Sequence, residues 1–121
     1  MELVGKCKML RIYMGEDERA GRKRLYDVIL ARLKEVGVAG VTILRGLEGF
    51  GASSRIHSAR ILEAMEDLPI IMEVVDRPAR ILKGLNAVEG LLPANCLVTI
   101  QDVRVLHYRA TGGRHTRSRR L

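Results

Sequence analysis

Along residues 6–14, Lys6, Lys8 and Arg11 interrupt apolar residues at near-alternate spacing, the period of a β-strand. Residues 15–18 break that pattern. From about Arg19 to Val36 the apolar positions Leu25, Val28, Ile29, Leu33 and Val36 follow the 3.6-residue period, which predicts an amphipathic helix with Gly37 as its C-terminal stop. A turn over 38–40 leads into a second predicted strand, 40–47, which runs into Gly46-Leu47-Glu48-Gly49-Phe50-Gly51. Residues 52–68 fit two structures. Ser53, Ser54 or Ser58 would cap a helix carrying Ile61, Leu62 and Met65 on one face, and the same stretch would also serve as a strand extension. Residues 69–76 are nearly all apolar and read as a third strand, buried on both faces. Asp76 as N-cap and Pro78 in the first turn open a second helix with a predicted buried stripe of Ile81, Leu82, Leu85, Val88 and Leu92. Residues 93–95 end it, and 96–108 form the last predicted strand.

Strand, helix, strand, strand, helix, strand is the split βαβ order. It predicts an α+β, ferredoxin-like βαββαβ fold: a four-stranded antiparallel sheet with two helices on one face. The strands carry more apolar positions than one helix-covered face can use. A second copy of the same sheet is the simplest cover, so the pattern predicts a homo-oligomer. Residues 1–111 form the single expected domain, and Gly112-Gly113 joins it to a tail, 112–121, expected to be disordered.

A chain of 121 residues supports one modest core and excludes a large multidomain enzyme. No apolar run approaches the roughly 20 residues of a membrane-crossing helix, and the first residues lack the apolar centre of a secretion signal. Two cysteines, Cys7 and Cys96, are too few for a disulfide scaffold and are expected to be small core residues. The expectation is a soluble, cytoplasmic protein. Its net charge of +7 suggests nucleic acid until it is divided, for Arg114, Arg117, Arg119 and Arg120 place four of those charges in the tail. What remains is an ordinary globular balance. Only three amide side chains occur among many charged ones, a thermophile-like composition.

The glycine-rich segment with its long connection is the first candidate site. Closely spaced glycines let backbone N–H groups approach a ligand oxygen, and Arg45 and Arg55 flank them; a β-bulge and turn explain the same residues equally well. His57, His107 and His115 fall in different segments, so no metal-ligand spacing emerges. No nucleophile motif occurs, and Glu66-Asp67 reads as a solvated turn before Pro69, so no catalytic constellation is found. The aromatic motif of RNA-reading sheets is absent as well.

Three stretches carry a resemblance: R-G-L-E-G-F-G at 45–51, R-I-H-S-A-R-I-L at 55–62 and D-L-P-I-I-M-E-V-V-D at 67–76. Over about residues 5–110 the sequence resembles the PII-like family catalogued as domain of unknown function 190, and more distantly the PII nitrogen-regulatory proteins. The resemblance implies a trimer with inward-facing sheets and an adenine nucleotide (AMP, ADP or ATP) in clefts between subunits. It also implies that loop 46–68 is the switch read by a target such as a transporter or enzyme. By position Gly49, Phe50 and Gly51 match the base of the mobile loop, and His107-Tyr108-Arg109-Ala110-Thr111-Gly112 resembles the family's phosphate-reaching ending. Arg109 and, less closely, Arg104 are the matched phosphate ligands. The implied nucleotide site is thus Arg45, Gly46, Gly49, Phe50, Gly51, Arg55, Arg104 and Arg109. The family's glycine- and lysine-containing phosphate loop is replaced by Leu91-Leu92-Pro93-Ala94-Asn95, which favours an AMP-like ligand over a triphosphate. No tyrosine between 52 and 68 offers a uridylylation acceptor. Two alternatives are a nucleic-acid-binding module using the arginine-rich tail and a metal-associated structural trimer resembling CutA proteins, with Cys7, Cys96 or His107 as ligands.

Overall fold

The computed structural model describes residues 1–51, 57–58 and 67–111. Strand β1 (Gly5–Gly15) leads into a small hairpin, β2 (Arg19–Ala20) and β3 (Lys23–Arg24), and then helix α1 (Leu25–Val36). Next come β4 (Thr42–Arg45), the short pair β5 (Glu48–Gly49) and β6 (His57–Ser58), and β7 (Pro69–Asp76). Helix α2 (Pro78–Val88) closes in a 3-10 turn (Glu89–Leu91), and β8 (Leu97–Val105) is the last strand. The four long strands pair antiparallel in the order β4-β7-β1-β8, the ferredoxin-like arrangement expected from the element order.

Alternation decides which side chains reach the core. On β1 and β7, Leu10, Ile12, Met14, Ile70, Met72 and Val74 are buried against Leu25, Ile29 and Leu33 of α1 and Ile81 and Val88 of α2. Gly37 ends α1 in the left-handed region (φ 90°), donating its N–H to the carbonyls of Leu33 and Lys34. Where the helices cross, a Cβ on Gly84 would stand 3.1 Å from Leu33 Cδ2, so a glycine is what lets them approach.

Among the described residues no helix lies over the opposite sheet face. Register aligns Leu44, Ile71, Tyr13 and Leu97 in one row across all four strands, and Leu44 and Leu97 are 44% and 57% exposed. The neighbouring row holds Thr42, Glu73, Arg11 and Thr99, with Arg11 Nε donating to Glu73 Oε2 at 2.8 Å. That hydrogen bond raises the guanidinium pKa of Arg11. The surplus of apolar strand positions is therefore real, and it lies on this face.

Several expectations are corrected. Helix α1 begins at Leu25, not near Arg19: before Leu25 the sequence offers only Ala20 as an apolar anchor, and Gly21 (φ 66°) turns residues 19–24 into a hairpin instead. Asp76 is not the cap of α2. Its carboxylate is buried and accepts the N–H groups of Ala39 (2.8 Å) and Arg77 (2.7 Å), tying the α1–β4 connection to the helix entrance, while Arg77 is the N-cap. Leu82 is exposed, and Gly84 takes its place in the buried stripe. The second and last strands are shorter than predicted, at Thr42–Arg45 and Leu97–Val105. Beyond β8 the chain leaves the sheet and pairs with the N-terminal segment, Leu3 N–H donating to Tyr108 O (3.1 Å) and Ala110 N–H to Met1 O (2.9 Å). Cys7 is buried as expected, whereas Cys96 is only half-buried. The choice between helix and strand over 52–68 lies outside the described residues apart from His57–Ser58, which is strand, and residues 67–68, which belong to neither. The tail at 112–121 lies outside them altogether.

Candidate functional site

At the end of the sheet where β1 finishes and β7 and β8 begin, a cavity of about 450 Å³ opens. It is lined by Tyr13 and Gly15 of β1, Glu18 after it, Gly49, Phe50 and Gly51 of the glycine-rich segment, Asp67 and Pro69 at the start of β7, and Asn95, Cys96 and Leu97 before β8. Its volume falls in the range of small-molecule sites. Phe50 is 68% exposed at the rim, an aromatic ring offered to solvent rather than to the core.

The two ends of the 46–68 connection are fastened to the start of β7 and to the exit of β1. Gly46 N–H donates to Pro69 O (2.7 Å), Glu16 N–H to Leu68 O (2.8 Å), and Asp17 N–H to Asp67 Oδ1 (3.0 Å). Arg45 pairs through its guanidinium with the buried carboxylate of Glu16. The glycines make room for this closure. A Cβ at Gly49 would stand 3.1 Å from Pro69 Cγ, and one at Gly15 would fall 2.3 Å from Asp67 Oδ1. Asp67 itself sits at φ 57°, a left-handed conformation that Asp tolerates better than most residues. Its carboxylate is built into the loop base, where the sequence alone suggests a solvated turn.

Cys96 faces the same cavity. Its Sγ–H donates to Tyr13 O at 3.2 Å, and burial, with a smaller contribution from the nearby Glu18 charge, pushes its thiol pKa up. It is a neutral wall group rather than an activated nucleophile. Among the described residues no cluster of three or more His, Cys, Asp or Glu is placed to hold a metal, and no helix is long and apolar enough to cross a membrane.

The implied site residues divide by place. Gly49, Phe50 and Gly51 line the cavity. Arg45 and Gly46 stand beside it, but the guanidinium is held by Glu16 and the Gly46 N–H by Pro69, so both shape the loop base. Arg104 lies near the far end of β8 from Leu97, roughly 23 Å along a seven-residue strand rise. Arg109 lies farther along the chain, pairing with Glu2 at 3.4 Å. Arg55 lies outside the described residues. Tyr13, Glu18, Asn95 and Leu97 carry no sequence signal, because each is an ordinary strand or turn residue; register pairs Tyr13 with Leu97, and the adjoining turns bring Glu18 to Asn95.

The family DUF190, described as uncharacterized ACR, matches residues 7–105. A UPF0166 protein of Aquifex aeolicus (strain VF5) is 34% identical over 104 residues, spanning 86% of this chain and 97% of its own. A UPF0166 protein of Methanocaldococcus jannaschii is 30% identical over 100 residues, spanning 83% and 92%. In structure the chain is similar to CPII, a nitrogen regulatory PII-like protein from Thiomonas intermedia K12 solved with ADP, AMP and bicarbonate. The TM-score is 0.63 at 18% identity, with 85% of this chain and 91% of that chain covered, a likeness of fold.

Proposed function

The chain belongs to the DUF190 family, and from that premise we propose that it is a PII-like regulatory protein that binds an adenine nucleotide, AMP-like in its phosphate demand, between subunits of a cytoplasmic homotrimer. One observation carries the reading. The cavity at the loop base holds an aromatic rim and glycine backbone but, among its described lining residues, no Arg, Lys or His, while Arg104 and Arg109 stand at the other end of the sheet. A single chain cannot bring the two halves together; a neighbouring chain can. The uncovered row Leu44, Ile71, Tyr13 and Leu97 supplies apolar surface on which such a neighbour would pack.

In this arrangement Phe50 and Tyr13 wall the base, and Gly49 and Gly51 allow close approach of the ligand. Arg104 and Arg109 of an adjacent subunit meet the phosphate, with Arg55 a further candidate. Three carboxylates, Glu18, Glu48 and Asp67, border the cavity. A ligand with one or two phosphates meets less repulsion there than a triphosphate does. Because both ends of the 46–68 connection are pinned beside the cavity, a ligand touching Gly49, Phe50 and Asp67 would favour one arrangement of that loop, and a protein target would read it.

Calorimetric titration of the full chain with AMP, ADP, ATP and cyclic nucleotides tests this. The expected result is saturable heat with at least one adenine nucleotide at one site per chain, strongest for AMP or ADP. No heat from any of them, with the oligomer intact by light scattering, overturns the nucleotide assignment.

A further inference from the structure

In sequence, residues 16–24 are a nearly balanced charge run: Glu16, Asp17 and Glu18, then Arg19, Arg22, Lys23 and Arg24. Folding engages the three acids and leaves three of the cations over. The Glu16 carboxylate is buried against Arg45, Asp17 is paired with Arg24 at 2.9 Å, and Glu18 accepts from Asn95 at 3.3 Å. Arg19, Arg22 and Lys23 are left exposed on the β2–β3 hairpin, and among the described residues none of the three makes an ion pair. The hairpin is braced as well: Arg24 also donates to Glu16 O (2.8 Å), Leu25 N–H to Glu18 O (2.8 Å), and Ala20 packs on the core. A β-to-α connection needs only two to six residues. Here nine carry an ordered basic knob outward.

We propose that this hairpin is a docking surface for an acidic segment of a protein partner, a stretch of clustered Asp or Glu carboxylates. Charge complementarity is the warrant: Arg19, Arg22 and Lys23 are all exposed within five consecutive residues, one at the turn and one on each strand, while Glu16, Asp17 and Glu18 are engaged by Arg45, Arg24 and Asn95. The size of the patch argues against nucleic acid, since it would neutralise at most about three phosphates. Residues 16–24 hold no aromatic side chain for stacking on bases. A membrane surface is disfavoured because the tip, Gly21-Arg22, exposes no apolar side chain to insert. The proposal does not depend on nucleotide binding.

The test is residue-resolved. The full chain, labelled with nitrogen-15, is titrated at low salt with an octaglutamate peptide, a thymidine octanucleotide, and vesicles containing about a quarter phosphatidylserine. Octaglutamate is expected to shift the amides of residues 19–24 more than either other probe does, and salt reverses the effect. The double variant Arg22→Glu/Lys23→Glu should weaken that response at least about tenfold while the remaining amide signals stay in place. The charge-neutral pair Arg22→Gln/Lys23→Gln serves if the reversal disturbs folding. Amides 19–24 left unmoved by octaglutamate, an equal or larger response there to the oligonucleotide or vesicles, or variants that respond like the parent protein would each overturn the proposal.

Discussion

Gly15 and Asp67 form the tightest fit in the candidate site. A methyl group on Gly15 would collide with a carboxylate oxygen that already accepts the Asp17 N–H, so Asp67 must move and give up that bond. Gly15→Ala is expected to destabilise the protein by about 1–3 kcal/mol in urea unfolding. In an Asp67→Gly background, which also relieves the left-handed backbone, the same change should cost much less. Cys96 gives a pH prediction. Burial and the neighbouring Glu18 charge favour the neutral thiol, so the thiolate fraction near pH 8 lies below that of a free cysteine. Alkylation of Cys96 by iodoacetamide should therefore be slower than that of a model thiol at pH 8 and still rising beyond pH 9; Glu18→Gln should speed it, as followed by peptide mass spectrometry.

Among the elements, the α1–β4 connection is held by side chains from elsewhere in the chain. Asp76 takes the Ala39 N–H, Arg80 Nη1 donates to Gly37 O (2.6 Å), and Tyr108 Oη donates to Ala39 O (3.3 Å). Asp76→Ala leaves the Ala39 and Arg77 N–H groups without their acceptor next to a buried site and should lower stability by about 1–3 kcal/mol, visible as a lowered Tm. The elements themselves were largely legible, because strands and helices with a strong apolar period declare their faces: β7 spans the residues expected of it, and α1 buries Leu25, Ile29 and Leu33. The pattern failed where no apolar period existed. Residues 19–24 are charged apart from Ala20 and Gly21, so nothing there distinguished a helix extension from a hairpin. Asp76 stands where a cap would stand, yet the Ala39 N–H from a remote connection claims its carboxylate. The cavity was half legible, since glycines mark close approach, but Tyr13 and Leu97 join it only through strand register, and Asn95 through the turn before β8.

For the whole molecule, the uncovered sheet face decides the account. An apolar row from Leu44 to Leu97 crossing an otherwise paired sheet is expected to be buried in an oligomer, so Tyr13→Asp, at the centre of that row, should reduce the mass found by light scattering to that of the 13.5 kDa chain. A Tyr13→Asp variant that keeps the parent's oligomeric mass would remove this face from the interface. The central claim, that an adenine nucleotide occupies the cavity at the loop base, is tested most directly by amide hydrogen exchange measured with and without saturating ADP. The account predicts slowed exchange in residues 46–51, 67–70 and 95–97, the three segments that converge there. Exchange unchanged in those segments, with ADP bound and protection appearing elsewhere, would contradict it.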